Sequence, residues 1–307
     1  MQPVATAKID HLSLTVHEHH PISTVLRDLL GYDIDYFTRA KASKLKWYKA
    51  AHNLYTARGD ALVTVATGPI GDYNRHNLIQ IHGLALSDSA WNALRPVSVP
   101  DLLATAQHYA ASVTEVHYAL DVLADVVPFD LILEQSLRHR YKQYIRSPFL
   151  RATKGIETVP YVRKDQNRVY YGKTNDNGEP IRSVCAVAAY NKRLSPLQGI
   201  YSDDNPLKQP WYRIESKLRG DTARAQGKAL LNFDGMAAVL NFGDPSIPAD
   251  LTLEQYIVSQ ISRYISFVEP TSKRASRCRQ QQWWADLLAS VLPPGLPELK
   301  PEMFGSE

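Results

Sequence analysis

Tyr190 stands two residues before Lys192 in the segment IRSVCAVAAYNKR, and Arg213 and Glu215 are spaced by two in the following WYRIESKLRG. Both segments read as strands, in which side chains alternate between faces, so each pair shares a face. A tyrosine beside a lysine, with an arginine and a carboxylate on a neighbouring strand, is the equipment of a phosphodiester transesterase. The phenol is the nucleophile, the cations neutralise the phosphate, and the carboxylate is a ligand for a divalent metal. A free phenol has a pKa of about 10, so Lys192 or a metal ion is needed to favour the phenolate. The structural alternative for Tyr190 is a strand tyrosine packed with its hydroxyl at the surface.

Asp121 is the second carboxylate of interest, because it interrupts the otherwise apolar run YALDV. A carboxylate in such a strand needs a partner or a metal to offset desolvation. Asp121 and Glu215 are therefore candidate ligands for Mg²⁺ or Mn²⁺, which prefer oxygen donors. The alternative is a buried ion pair, Glu215 with Arg213 or Arg182 being the nearest choices. Arg213 either contacts the scissile phosphate or forms a structural salt bridge. His117 is a further metal candidate, more natural for Mn²⁺ than for Mg²⁺, or else a satisfied core histidine.

Elements that would carry these residues follow from periodicity. Strands are predicted at Ile9–Val16, Ala61–Ala66, Leu78–Leu84 and Val113–Val122, and in the three segments beginning at Arg168. Helices are predicted at Ile22–Leu30, stopped by Gly31, and at Ser89–Leu94, Asp101–Ala111 and Phe129–Tyr144. A stripe from Leu253 to Val268 and a segment Trp283–Leu292 make a helical tail. The fold class expected is α+β (α/β), a mainly antiparallel sheet core with helices packed on one face. The expected organisation is an α/β half over 1–112 that binds DNA, a catalytic half over 113–245 and a helical tail over 246–307.

The net charge of +4 over 307 residues weakly favours a polyanionic partner. Between Arg138 and Lys173 ten basic residues are opposed only by Glu157 and Asp165, and tyrosines are interleaved with them. Cations for phosphates mixed with rings for bases suit nucleic acid. Arg163, Lys164, Arg168, Lys173 and Arg182 are the candidate DNA contacts, plain solvent exposure being the alternative for Lys173. No apolar run reaches membrane-spanning length. The amino-terminal MQPVATAKIDHLS lacks a secretory pattern, and two cysteines make no disulfide framework, so a reducing cytoplasm is the expected location.

Taken together, IDHLSLTV, NLIQIHGLALS, VTEVHYALDV, VYYGKTN, VAAYNKR and WYRIESKL resemble, in order and spacing, the replication initiation factor family. That family comprises rolling-circle replication initiators of filamentous phages and plasmids, with related relaxases of conjugative elements. The resemblance spans roughly residues 8 to 235. It implies a fold distantly like the histidine-motif nicking endonucleases, with Tyr190 as the nicking tyrosine. It also implies a 5′-phosphotyrosine intermediate, a free 3′-hydroxyl primer and a divalent metal, Mg²⁺ or Mn²⁺. The partners implied are double-stranded origin DNA, the nicked single strand, a host helicase and polymerase, and a second copy of the chain. The sequence departs from the family where two aspartates four residues apart are usual: Glu115 and His117 occupy the earlier positions and only Asp121 remains. A catalytically decayed, sequence-specific DNA-binding regulator is the alternative this departure suggests. A second alternative rests on IDHLSLTV and the helix ending LLGY, which resemble the first module of vicinal-oxygen-chelate metalloenzymes. There His11 would bind metal, with His82 and Glu115 the nearest further ligands.

Overall fold

The computed structural model describes residues 5–40, 45–57, 59–71, 75–87, 98–123, 125–137, 161–162, 168–172, 184–192, 210–233, 248, 250–269, 278–296 and 299–304. Ten strands are formed by these residues: β1 (Ala5–His17), β2 (Thr38–Arg39), β3 (Tyr48–Tyr55), β4 (Ala61–Pro69), β5 (His76–His82), β6 (Ser112–Val122), β7 (Tyr161–Val162), β8 (Arg168–Tyr171), β9 (Cys185–Asn191) and β10 (Tyr212–Arg219). The seven described helices are α1 (Ile22–Leu30), α2 (Gly83–Ser87), α3 (Val99–Gln107), α4 (Phe129–Leu137), α5 (Asp221–Leu231), α6 (Leu253–Tyr264) and α7 (Gln282–Ala289). The hydrogen-bonded strand order is β2-β3-β4-β5-β1-β6-β10-β9-β8-β7. The registers of β1–β5, β2–β3, β3–β4, β4–β5, β7–β8 and β8–β9 are antiparallel. The class is α+β, as the sequence predicts.

Two compact units divide the chain. One consists of Met1–Lys8, Tyr118–Lys217 and Pro245–Lys300; the other of Ile9–His117, Leu218–Asp244 and Pro301–Glu307. This grouping differs from consecutive stretches ending at 112 and 245, because antiparallel pairing joins segments far apart in sequence.

In the second unit, period-two alternation sorts the strands into an apolar and a polar face. Leu12, Leu14 and Val16 of β1, Val63 and Val65 of β4, Ile79 and Ile81 of β5 and Val116 of β6 are fully buried. Burying each such side chain contributes roughly 1.5–3 kcal/mol. Helix α1 buries Val25, Leu26, Leu29 and Leu30 and ends on Gly31 at φ 76°, the left-handed cap that glycine adopts without strain. Ser98 caps α3 by accepting from the Asp101 N–H, and Pro100 lies in its first turn. That helix therefore begins before the predicted Asp101 and ends at Gln107. Gly83 and Leu84, predicted as strand, start α2.

In the first unit, Val116's neighbours on the same strand continue the pattern: Tyr118, Leu120 and Val122 of β6 are fully buried. Helix α6 opens with a capping box between Thr252 and Gln255 and buries Tyr256, Ile257 and Ile261. It stops at Tyr264 because Ile265 turns extended (φ −140°, ψ 140°), and Val268 then bridges Gln280. The stripe to Val268 thus ends as strand-like chain, shorter than the predicted helix. Trp284 of α7 is fully buried against Phe267. No helix of the described residues is long and apolar enough to cross a membrane. The predicted helix Ser89–Leu94 and the segments 138–160, 173–183 and 193–209 lie outside the described residues.

Candidate active site

Strand β10 lies between β6 and β9 in the sheet order. Its even positions Ile214 and Leu218 are apolar and fully buried, whereas Arg213, Glu215, Lys217 and Arg219 are all charged and share the other face. Arg213 and Glu215 are nonetheless only 2% and 3% exposed. Charges held so far from water must be satisfied by protein groups.

Arg213 answers with a two-pronged contact to β6. Its Nε donates to Asp121 Oδ1 and its terminal nitrogen to Oδ2, each at 2.6 Å. Two lysines add to this carboxylate, Lys8 at 3.6 Å and Lys192 at 3.8 Å from Oδ2. Burial works against the ionised form of Asp121, but the hydrogen bonds and charge of Arg213, helped by Lys192 and Lys8, outweigh it and lower the pKa. Arg213 pairs with Asp121, and Glu215 takes Lys217 at 3.4 Å; the alternative partner Arg182 lies outside the described residues.

Tyr190, near the end of β9, is 7% exposed, and its hydroxyl donates to Glu215 Oε2 at 3.4 Å. The Arg168 guanidinium lies 4.1 Å from the centre of the Tyr190 ring, a consequence of the direct cross-strand pairing of Arg168 with Tyr190. Lys192 sits over the Trp211 ring at 4.3 Å, and its backbone N–H donates to the Trp211 carbonyl. The buried indole N–H of Trp211 has no hydrogen-bond partner among the described residues. The phenol thus faces a proton acceptor, with Arg168 on its ring, Lys217 on the same acceptor and Lys192 on Asp121. Among the described residues five cationic groups, Lys8, Arg168, Lys192, Arg213 and Lys217, accompany the two carboxylates.

The structure brings Tyr190, Lys192, Arg213, Glu215 and Asp121, all singled out in the sequence, into one unit, and Arg168 joins them on the tyrosine ring. Lys8, Lys217 and Trp211 escape the sequence reading. Lys217 is detectable as the residue two beyond Glu215 on the same face, while nothing local marks Lys8. Arg163, Lys164, Lys173 and Arg182 lie outside the described residues.

The carboxylates as held do not suit a metal. Both oxygens of Asp121 are taken by Arg213, and those of Glu215 serve Tyr190 and Lys217. Mg²⁺ demands near-ideal octahedral oxygen geometry. Among the described residues no three His, Cys, Asp or Glu side chains surround a common point. His117 belongs to the second unit, where its Nε2 meets Glu115 Oε1 at 2.7 Å. Glu115 is also bound by Arg219 at 2.6 Å. Burial raises its pKa, yet the His117 and Arg219 hydrogen bonds prevail and bring it to about 2.

No protein-family model and no curated protein sequence matches the chain. A solved structure does: the rolling circle replication initiator protein from Geobacillus stearothermophilus is 16% identical, with the match covering 97% of this chain and 100% of that one at a TM-score of 0.61. The chain shares the fold of that protein.

Proposed function

We propose that this protein is a rolling-circle replication initiator that binds origin DNA and nicks one strand through Tyr190. The observation that carries the reading is the Tyr190 hydroxyl on Glu215, flanked by Arg168, Lys192 and Lys217, in a fold shared with a replication initiator.

In this mechanism the Tyr190 oxygen attacks the scissile phosphorus as its proton passes to Glu215 Oε2. The new phenol–phosphorus bond forms as the bond to the 3′-oxygen breaks. That oxygen leaves with its electron pair and takes a proton from solvent, giving the primer a polymerase extends. The bond energy is kept in the 5′-phosphotyrosine, so rejoining needs no nucleotide. Arg168 stabilises the phenolate across the ring, and Lys192 and Lys217 offset the phosphate charge. Arg213 is a positioning residue that holds Asp121, and through it Lys192. Recruitment of a host helicase and action as a homodimer belong to the same proposal.

Purified protein mixed with supercoiled DNA bearing its own gene and flanks, with Mg²⁺ or Mn²⁺ supplied, is expected to yield open circles and a 5′-linked protein adduct. Tyr190→Phe is expected to remove both while retaining origin binding. Tight binding by the unaltered protein without any adduct would overturn the nickase in favour of the decayed regulator.

A further inference from the structure

At one end of β3 and β4 the second unit exposes an indole among positive charges. Trp47, just before β3, is 60% exposed, and Ile70, just after β4, is 46% exposed. The two are joined by the Ile70 N–H, which donates to the Trp47 carbonyl at 2.8 Å. We propose that Trp47, Lys46 and Lys49 form a binding surface for single-stranded DNA, the indole stacking on an unpaired base and the lysines meeting phosphates. The inference rests on the reading that DNA is the partner, and not on Tyr190 or the chemistry there.

Charge is the first argument for that partner. Between Phe37 and Gly59 the sequence holds six basic residues, Arg39, Lys41, Lys44, Lys46, Lys49 and Arg58, and no acidic one. Arg39, Lys46 and Lys49 are among the described residues, and all three are exposed. Arg75, immediately before β5, is exposed at the same end as Ile70, since β4 and β5 run antiparallel. No described residue from Leu45 to Tyr55 or from Ala61 to Gly71 is acidic. The second argument is that this indole is left out of the core, whereas Trp284 is fully buried. Single exposed apolar side chains need no explanation, but adjoining ones rimmed by charge mark a contact surface. Rings for bases among cations for phosphates are the pattern of single-strand binding.

Local geometry supplies the third argument. Lys46 Nζ lies 5.3 Å from the centre of the Trp47 ring, so base and phosphate contacts fall side by side. Lys49 rests on a gap in β4. Gly68 has φ 64°, and a Cβ there would lie 3.1 Å from Lys49 Cβ, 3.3 Å from Cγ and 3.2 Å from Cδ. The lysine stem thus packs on the glycine backbone while its ammonium stays in water. Duplex DNA offers a protein its phosphates and base edges. Only an unpaired base has a face free for the indole, and the displaced strand of the proposed reaction supplies such bases.

The test is fluorescence anisotropy of a labelled single-stranded oligonucleotide without origin sequence, titrated with the full chain at several salt concentrations, beside a duplex of the same sequence. Trp47→Ala is expected to weaken single-strand binding about 5- to 150-fold, the range for loss of one stacked base. Duplex binding should change far less, and Trp47→Phe should keep most of the single-strand affinity. Lys46→Ala and Lys49→Ala should each reduce the slope of log K against log salt by about 0.7. Urea midpoints matching that of the unaltered protein are expected for all four variants, since the side chains are exposed. Single-strand binding unchanged in Trp47→Ala, equal weakening toward the duplex, or a Trp47-dependent dimer in sedimentation with no effect on DNA would each overturn the proposal. A protein that binds through Trp47 yet forms no adduct on origin DNA refutes the nickase alone. One that forms the adduct but binds the oligonucleotide equally without Trp47 refutes this surface alone.

Discussion

Glu115 and Asp121 occupy the same face of β6, yet each is neutralised by a different arginine of β10, Arg219 and Arg213. Removing one partner of the buried Arg213–Asp121 pair costs about 3–5 kcal/mol. Glu115 carries a pH signature. Its pKa in the folded protein, about 2, is below its ordinary 4.5. Because the folded value is depressed, the contribution is complete above pH 4.5 and is lost as pH falls toward 2. Its size is about 3 kcal/mol. The expected outcome is that the stability of Glu115→Gln, from urea midpoints at pH 5 and pH 3, falls less on acidification than that of the unaltered protein. Parallel declines would refute the assignment. Local alternation was enough to identify Tyr190, Asp121, Arg213 and Glu215 as residues of interest. It could not say that Arg213 would take Asp121, 92 residues away, rather than Glu215 two residues along. That choice depends on strand register, which no local pattern encodes.

Among the elements, β2, β3, β7, α2 and α5 are absent from the sequence reading, and the stripe of α5 is diluted by Ala, Gln and Gly. Its glycine is explained by packing. A Cβ on Gly227 would lie 2.5 Å from Val113 Cγ2 and 2.7 Å from Val113 Cβ, at the start of β6. Valine is β-branched and stiff, so it cannot yield as a flexible side chain does. Gly227→Ala gains up to about 1 kcal/mol of helix propensity. Overpacking costs about 1–3 kcal/mol. A net loss is expected, visible as a lower urea midpoint; a raised midpoint would show that β6 and α5 have room to relax. Strands β1 and β10 were legible because each sets apolar against polar or charged residues, whereas β9 was legible as a short apolar run, buried from Ala186 to Tyr190. Boundaries slipped where capping decided them, as at Ser98 of α3 and Ile265 after α6.

For the molecule as a whole, the last stretch is the instructive part. Read as a helical tail over 246–307, its residues through Lys300 belong to the first unit together with β1's opening residues. Glu254 accepts from the Ala7 N–H at 2.7 Å, and fully buried Tyr256 meets fully buried Tyr118 edge-on. A chain ending at residue 245 would expose Tyr118 and leave that N–H without its acceptor. It is expected to lose the cooperative urea transition and the near-UV signal of the first unit. Retention of both would show that the tail is dispensable. Composition and alternation alone gave the expectation of an α+β protein with a tyrosine and a set of charges on neighbouring strands. They did so because side-chain direction in a strand is a local property. Which arginine neutralises which carboxylate, and which acceptor faces Tyr190, were decided only by tertiary structure. Those contacts depend on how strands distant in sequence are ordered and aligned, and hydrogen-bond register between them is a property of the assembled sheet.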